Sequence, residues 1–227
     1  MTASTMTIGV IGGTGNLGAA LARRWAKAGH QVLIGSRDAD RAEESAARLS
    51  EGLSTPIRGA DNVSVASQAD LIVLAVPFAS QADIISDIKD AAQGKIVVDT
   101  TVPLKPPKVM RVQLPEEGSA AVRAQRLFGE GVTLVSGFHN VAAYKLAKDQ
   151  DVECDVLVFS DDKDARATVV QLADDAGLRG LHAGALVNSA AAEALTSILI
   201  FMNKHYKVDG AGIRISGELD LSCHQPT

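Results

Sequence analysis

Aromatic residues are scarce in this chain. They make up 4% of 227 residues, with a single tryptophan, so the core has to be built from Ala, Val, Ile and Leu. Cysteine is scarcer: Cys154 and Cys223 lie too far apart to suggest a disulfide framework. Together with His182, His205 and His224 they show no metal-ligand spacing, and no metal is expected. Positive charge does not accumulate either. The formal net charge is -5 and no basic stripe stands out, which argues against nucleic acid as the main partner. No window approaches the roughly 18 apolar residues of a membrane span. Met1–Thr5 lacks the charged start of a signal peptide, so a cytoplasmic protein without membrane partners is expected.

What is present is an alternation of short β-branched runs with helical patterns, the signature of a parallel α/β sheet. Strands are predicted at Thr7–Ile11, Gln31–Gly35, Leu71–Val76, Lys95–Asp99 and Val132–Ser136, with Thr55–Arg58 as a short third strand. Helices are predicted at Asn16–Ala28, Ala39–Ser50, Ser80–Ala92 and Ser119–Phe128. Beyond about residue 140 come a strand at Asp155–Ser160, a helix opening at Asp161–Asp164, a strand at Leu178–His182 and a long apolar helix through Ala190–Tyr206. Leu195, Ile198, Leu199, Ile200, Phe201 and Met202 cover nearly every face of that last helix, so the rest of the chain or a second subunit has to bury it. The expected fold is a Rossmann-type doubly wound parallel sheet over residues 1–147, with a small C-terminal α/β module over 148–227.

The first strand runs into Gly12-Gly13-Thr14-Gly15-Asn16-Leu17-Gly18. Gly13 is read as the tight turn, Gly15 as the point where backbone approaches a pyrophosphate, and Gly18 as the close contact of helix with strand. The second strand ends at Gly35-Ser36-Arg37, with Arg41 one turn further on. A ribose 2′-hydroxyl calls for a carboxylate at that place, whereas a 2′-phosphate calls for a hydroxyl and guanidinium groups. Each charge-assisted bond to the phosphate contributes about 1.5–3 kcal/mol. The pattern points to NADP(H). Asp38 is the competing feature, because a carboxylate there can serve a ribose hydroxyl.

With these motifs in view, the chain resembles the NADPH-dependent reductases of the deazaflavin coenzyme F420. The resemblance rests on Ile11–Gly18 with Gly29-His30 and Gly35–Arg37, on Ala75–Phe78 and Val97–Pro103, on Ser136–Ala143, and on Leu181–Ser189 with Glu193, Leu195, Thr196 and Gly210–Ile215. It covers Met6 to about Ile215 and departs where some members have a proline and this chain has Val141-Ala142. It implies an enzyme, an oxidoreductase that moves a hydride directly between NADP(H) and coenzyme F420. It also implies cofactor contacts at Val76, Pro77, Phe78, Ser80 and Val102, and at His139, Asn140, Val141 and Ala143. Pro77 can equally just end its strand.

No acid–base triad presents itself, which fits a reaction carried by two cofactor rings. No residue is assigned a catalytic role, and His139 is read as a hydrogen-bonded structural group. Lys105, Lys108 and Arg111, or Lys204, Lys207 and Arg214, are candidate basic surfaces for the oligoglutamate tail of the deazaflavin. The apolar C-terminal helix suggests a homodimer. The alternatives are an NADP-dependent imine reductase resembling pyrroline-carboxylate reductases, or a non-catalytic NADP-binding redox sensor.

Overall fold

The β-branched run Thr7–Ile11 forms β1, the strand on which the sheet is organised. The computed structural model describes residues 5–148 and 150–221; Cys223 and His224 lie outside the described residues. Around β1 stand β2 (Gln31–Ser36), β3 (Arg58–Asp61), β4 (Leu71–Leu74), β5 (Ile96–Asp99) and β6 (Thr133–Ser136), all parallel, in the order β3-β2-β1-β4-β5-β6. Ile8, Val10 and Ile11 of β1 are fully buried, as a strand covered on both faces requires. The helices between them are α1 (Asn16–Lys27), α2 (Ala39–Leu49), α3 (Asn62–Gln68), α4 (Gln81–Ile88) and α5 (Ala120–Phe128). The strand order reverses between β1 and β4, which opens a crevice at their carboxyl ends.

The third strand begins at Arg58, where Thr55–Arg58 was predicted. Apolar content misleads there, because β3 is placed by backbone approach: a Cβ on Gly59 would come within 2.3 Å of Ala42. The fourth strand ends at Leu74, two residues short of the prediction. Ala75 still donates to the Ile11 carbonyl, but Pro77 follows and has no N–H to continue the ladder. Phe78–Ser80 is a 3-10 turn ahead of α4, which stops at Ile88.

The second part of the chain contains α6 (Ala143–Leu146), β7 (Asp155–Val158), α7 (Lys163–Asp175), β8 (Arg179–His182) and α8 (Ser189–Tyr206). Strands β7 and β8 form their own parallel pair, joined to β6 by reciprocal backbone bonds between Ser136 and Phe159 at 2.8 and 2.9 Å. Helix α1 does much of the joining. Trp25 is fully buried, donates its indole N–H to the Leu172 carbonyl at 2.8 Å and meets the Phe138 ring edge-on at 5.9 Å. Arg24 donates to the carbonyls of Leu146, Ala176 and Gln150, and His30 pairs with Asp175 at 2.9 Å. A single hydrophobic cluster therefore runs from Ile8 and Trp25 through Val156 to Val169.

The chain covers only one side of α8. Ser189, Ala192, Glu193, Ser197 and Leu199 are buried, while Ile198 and Phe201 remain 46% and 49% exposed. Against the expectation from composition, Leu186–Tyr206 is long and apolar enough to cross a membrane, with a mean hydropathy of 1.3. The polar groups on its buried side are bonded to α5 and to the segment after β6.

Candidate functional site

The turn after β1 is left-handed at Gly12 (φ 81°), where a Cβ would also lie 2.4 Å from the Ala75 carbonyl oxygen. This corrects the assignment of the tight turn to Gly13. Gly13 is required for another reason, since a Cβ there would sit 2.5 Å from Cβ of Ile34 on β2. Gly18 packs against the turn itself, 2.6 Å from a Cβ position to the Gly12 oxygen. Gly15 is the N-cap of α1 and offers no side chain to cap it, and no acidic residue stands in the first turn of Asn16, Leu17 and Gly18. The N–H groups of that turn are thus left for an anion.

At the end of β2, Asp38 is the N-cap of α2, and its carboxylate accepts from the Arg41 N–H at 3.2 Å. Its own N–H donates to Ser36 Oγ at 3.3 Å. Asp38 therefore organises the helix start and presents Arg41 on the first turn. Among the described residues, neither Arg37 nor Arg41 is in an ion pair.

A cleft of about 200 Å³ brings together Thr14, Gly15, Ser36, Arg37, Arg41, Val76, Pro77 and Ser80 of the expected residues. Gly12, Asn62, Ala75 and Ile84 also line it and were not anticipated. Asn62 could have been found from Asp61-Asn62-Val63-Ser64, in which Asp61 caps a helix by accepting from the Ser64 N–H at 2.9 Å. Gly13, Asn16, Leu17, Phe78 and Val102 stand outside the lining. Phe78 lies under the Arg123 guanidinium, 4.9 Å from its ring centroid.

His139, Asn140 and Val141 are brought to a second cavity, of about 180 Å³, shared with Ala142, Tyr144, Thr196 and Leu199; Ala143 begins α6 beside it. Phe138 adopts φ 63°, and its buried ring meets that of Trp25. That left-handed conformation costs on the order of 1–2 kcal/mol, offset here by full burial of the ring. His139 is itself buried, its Nε2 2.9 Å from Ser136 Oγ, and burial pulls its pKa down to about 4. The ring is neutral at pH 7 and holds no proton to donate as imidazolium.

Helix α8 fixes this segment. Thr196 Oγ1 donates to the His139 carbonyl at 3.0 Å, and Asn140 Nδ2 donates to the Ala192 carbonyl at 3.0 Å. One turn away, Glu193 accepts from the N–H groups of Ala120 and Ala121 at 2.7 and 3.1 Å, at the start of α5. Burial lifts its pKa to about 7, and nearby Asp99, itself buried and lifted to about 6, adds to that. Of the two basic clusters, Arg214 pairs with Glu153 at 3.4 Å. Lys105, Lys108 and Arg111 are exposed on a loop that Ser197 Oγ ties to α8 through the Arg111 carbonyl.

Residues 7–103 match the family model described as NADP oxidoreductase, coenzyme F420-dependent. The chain is 39% identical to the F420-dependent NADP reductase of Methanothermobacter thermautotrophicus, over 93% of this chain and 95% of that one. It is 37% identical to the F420-dependent NADP reductase of Methanocaldococcus jannaschii, over 93% of this chain and 98% of the other. A solved structure from Arthrobacter sp. FB24, of a candidate F420-dependent NADP-reductase, shares the fold with a TM-score of 0.77 at 24% identity, over 93% of this chain and 100% of that one. Matching along nearly its whole length, this chain belongs to the family of F420-dependent NADP reductases.

Proposed function

We propose that this oxidoreductase transfers a hydride directly between NADP(H) and coenzyme F420, with the dinucleotide in the cleft at the carboxyl ends of β1, β2 and β4. One observation carries the dinucleotide half: an uncapped helix start and two arginines outside any ion pair among the described residues face one cleft. A pyrophosphate fits the N–H groups of the Gly15 turn, and a 2′-phosphate fits Ser36, Arg37 and Arg41. Asp38 caps α2 through one carboxylate oxygen, which seats Arg41 on the first turn of that helix beside the cleft.

The two rings supply the hydride donor and acceptor; the chain supplies orientation and exclusion of water. Val76 and Pro77 shape the nicotinamide side of the cleft, while the His139–Ala143 segment, held by α8, forms the deazaflavin side. Helix α8 completes that second side through Thr196 and Leu199. The neutral His139 ring positions the segment through Ser136 and does not exchange a proton. An imine reductase or a redox sensor is not favoured beside relatives matched over 93% of the chain.

The test is the visible absorbance of oxidised F420, which should be lost when NADPH and protein are added together. Unchanged absorbance with tight NADPH binding would overturn the reaction while leaving the dinucleotide site intact. We also propose a homodimer through the exposed side of α8, where Ile198, Phe201 and Met202 stand open. Light scattering should give twice the chain mass, and a monomer mass independent of concentration would refute this.

A further inference from the structure

Arg123 stands where helix formation gives no reason for a cation. Ser119 caps α5, and Arg123 closes its first turn, near the positive end of the helix dipole. Basic side chains are favoured at the other end, where Arg126 lies. Among the described residues Arg123 is in no ion pair. Its guanidinium lies instead over the half-buried Phe78 ring, 4.9 Å from the centroid.

Phe78 opens the 3-10 turn Phe78–Ser80, and its neighbours Val76, Pro77 and Ser80 line the dinucleotide cleft. The main-chain bonds of the turn are local. Ser80 N–H donates to the Pro77 carbonyl at 2.9 Å, and Gln81 N–H donates to the Phe78 carbonyl. Longer-range anchors lie at the two ends: Ala75 N–H donates to the Ile11 carbonyl, and the Gln81 carboxamide donates to Asp99 and to the Ala120 carbonyl. Between those ends the Phe78 ring reaches α5 through Arg123. The start of α5 is in turn held by Glu193 of α8.

We propose that Arg123 is a positioning residue for hydride transfer: through Phe78 it holds the Val76–Ser80 wall against which the nicotinamide lies. This rests on the cofactor reading of the cleft. In this role Arg123 touches neither cofactor. A cation over a half-exposed ring adds little to affinity, whereas a small displacement of the nicotinamide is enough to slow hydride transfer. The effect therefore falls on turnover more than on binding.

A double-mutant cycle on the full chain tests it. The readouts are kcat for F420 reduction at saturating NADPH, the Kd for NADPH, and the emission of bound NADPH. Arg123→Met keeps the apolar stem and removes the cation. It should lower kcat about 10-fold and raise the Kd by no more than about 3-fold. Arg123→Lys, which keeps a cation over the ring, should recover most of that loss. In a Phe78→Leu background, Arg123→Met should lower kcat no further. Wild-type kcat in Arg123→Met would overturn the proposal, and so would equal losses in the two Arg123 variants. The same loss of kcat in both Phe78 backgrounds would overturn it too, because Arg123 would then act on the cofactors directly. A wild-type chain that binds NADPH without reducing F420 would overturn the reaction instead. The cycle then stands on the emission of bound NADPH: a change caused by Arg123→Met should vanish in the Phe78→Leu background, and its persistence there would overturn the proposal. A wild-type chain that binds no NADPH would overturn the cleft reading and the proposal with it.

Discussion

The two sides of the candidate site are built in opposite ways. Around Gly15, Ser36, Arg37 and Arg41, groups suited to an anion are left open: no side chain caps α1, and neither arginine is in an ion pair among the described residues. Around His139 and α8, polar groups are satisfied within the chain: His139 by Ser136, Asn140 by Ala192 and Thr196, Glu193 by Ala120 and Ala121. Under the proposed function, the first side is a recognition surface whose charge does the selecting. The second is a scaffold that contributes shape, and its bonds go into holding the two parts of the chain together.

The largest test of that difference is to remove the scaffold. A fragment of residues 1–147 loses the partners of Trp25 and His30, namely Leu172 and Asp175. It should show no cooperative thermal unfolding, and a fragment that melts cooperatively would mean the first part stands alone. Trp25→Ala in the full chain is the milder form, with an expected loss of about 3–5 kcal/mol in denaturant unfolding. On the recognition side, Arg37→Ala with Arg41→Ala should raise the Michaelis constant for NADPH roughly 100-fold or more and leave that for NADH within about 3-fold. Equal losses for both cofactors would end the assignment of the 2′-phosphate to these residues.

A pH titration of stability probes the scaffold more gently. In the folded chain Glu193 is lifted from 4.5 to about 7, so the unfolded chain releases that proton first. Rising pH between those values favours unfolding, and above them the penalty stays constant, on the order of 3 kcal/mol for this group. Asp99, lifted from 3.8 to about 6, acts in the same direction. The melting temperature should therefore fall from pH 5 to pH 8, and Glu193→Gln should flatten the fall. A wild-type melting temperature that rises over that range would show that these carboxylates do not govern it. The smallest effect is expected for His139→Ala: a loss of turnover below about 10-fold, with the shape of the pH profile between 6 and 8 unchanged. A ring whose pKa lies near 4 does not titrate there, and a loss of many orders of magnitude would reinstate it as a proton carrier.

Much of the recognition side was legible in the chain because it is local. Strand β1, the glycine turn and Ser36-Arg37 are contiguous, and their chemistry depends on spacing along one βαβ unit. Even there the turn glycine was misplaced by one residue, because Gly12 and Gly13 are both demanded and only the positive φ separates their roles. Asn62 was missed, and β3 was placed three residues early, for a related reason. A polar strand of Arg58-Gly-Ala-Asp61 has no apolar signal, and its place follows from the approach of Gly59 to Ala42. The scaffold was less legible still. Nothing in Glu193 by itself announces that it caps α5, 73 residues earlier in the chain.

By itself the sequence determined the parallel sheet, the uncapped glycine turn and the hydroxyl–guanidinium pair at the second strand end, since each is written in neighbouring residues and in backbone geometry that those residues enforce. The tertiary structure alone decided that the two parts of the chain share one core through Trp25, that Thr196 of α8 holds the segment after β6, and that Asn62 lines the cleft beside Ser36 and Arg37. Those facts depend on which distant groups meet, and long-range contacts leave no periodicity in the chain.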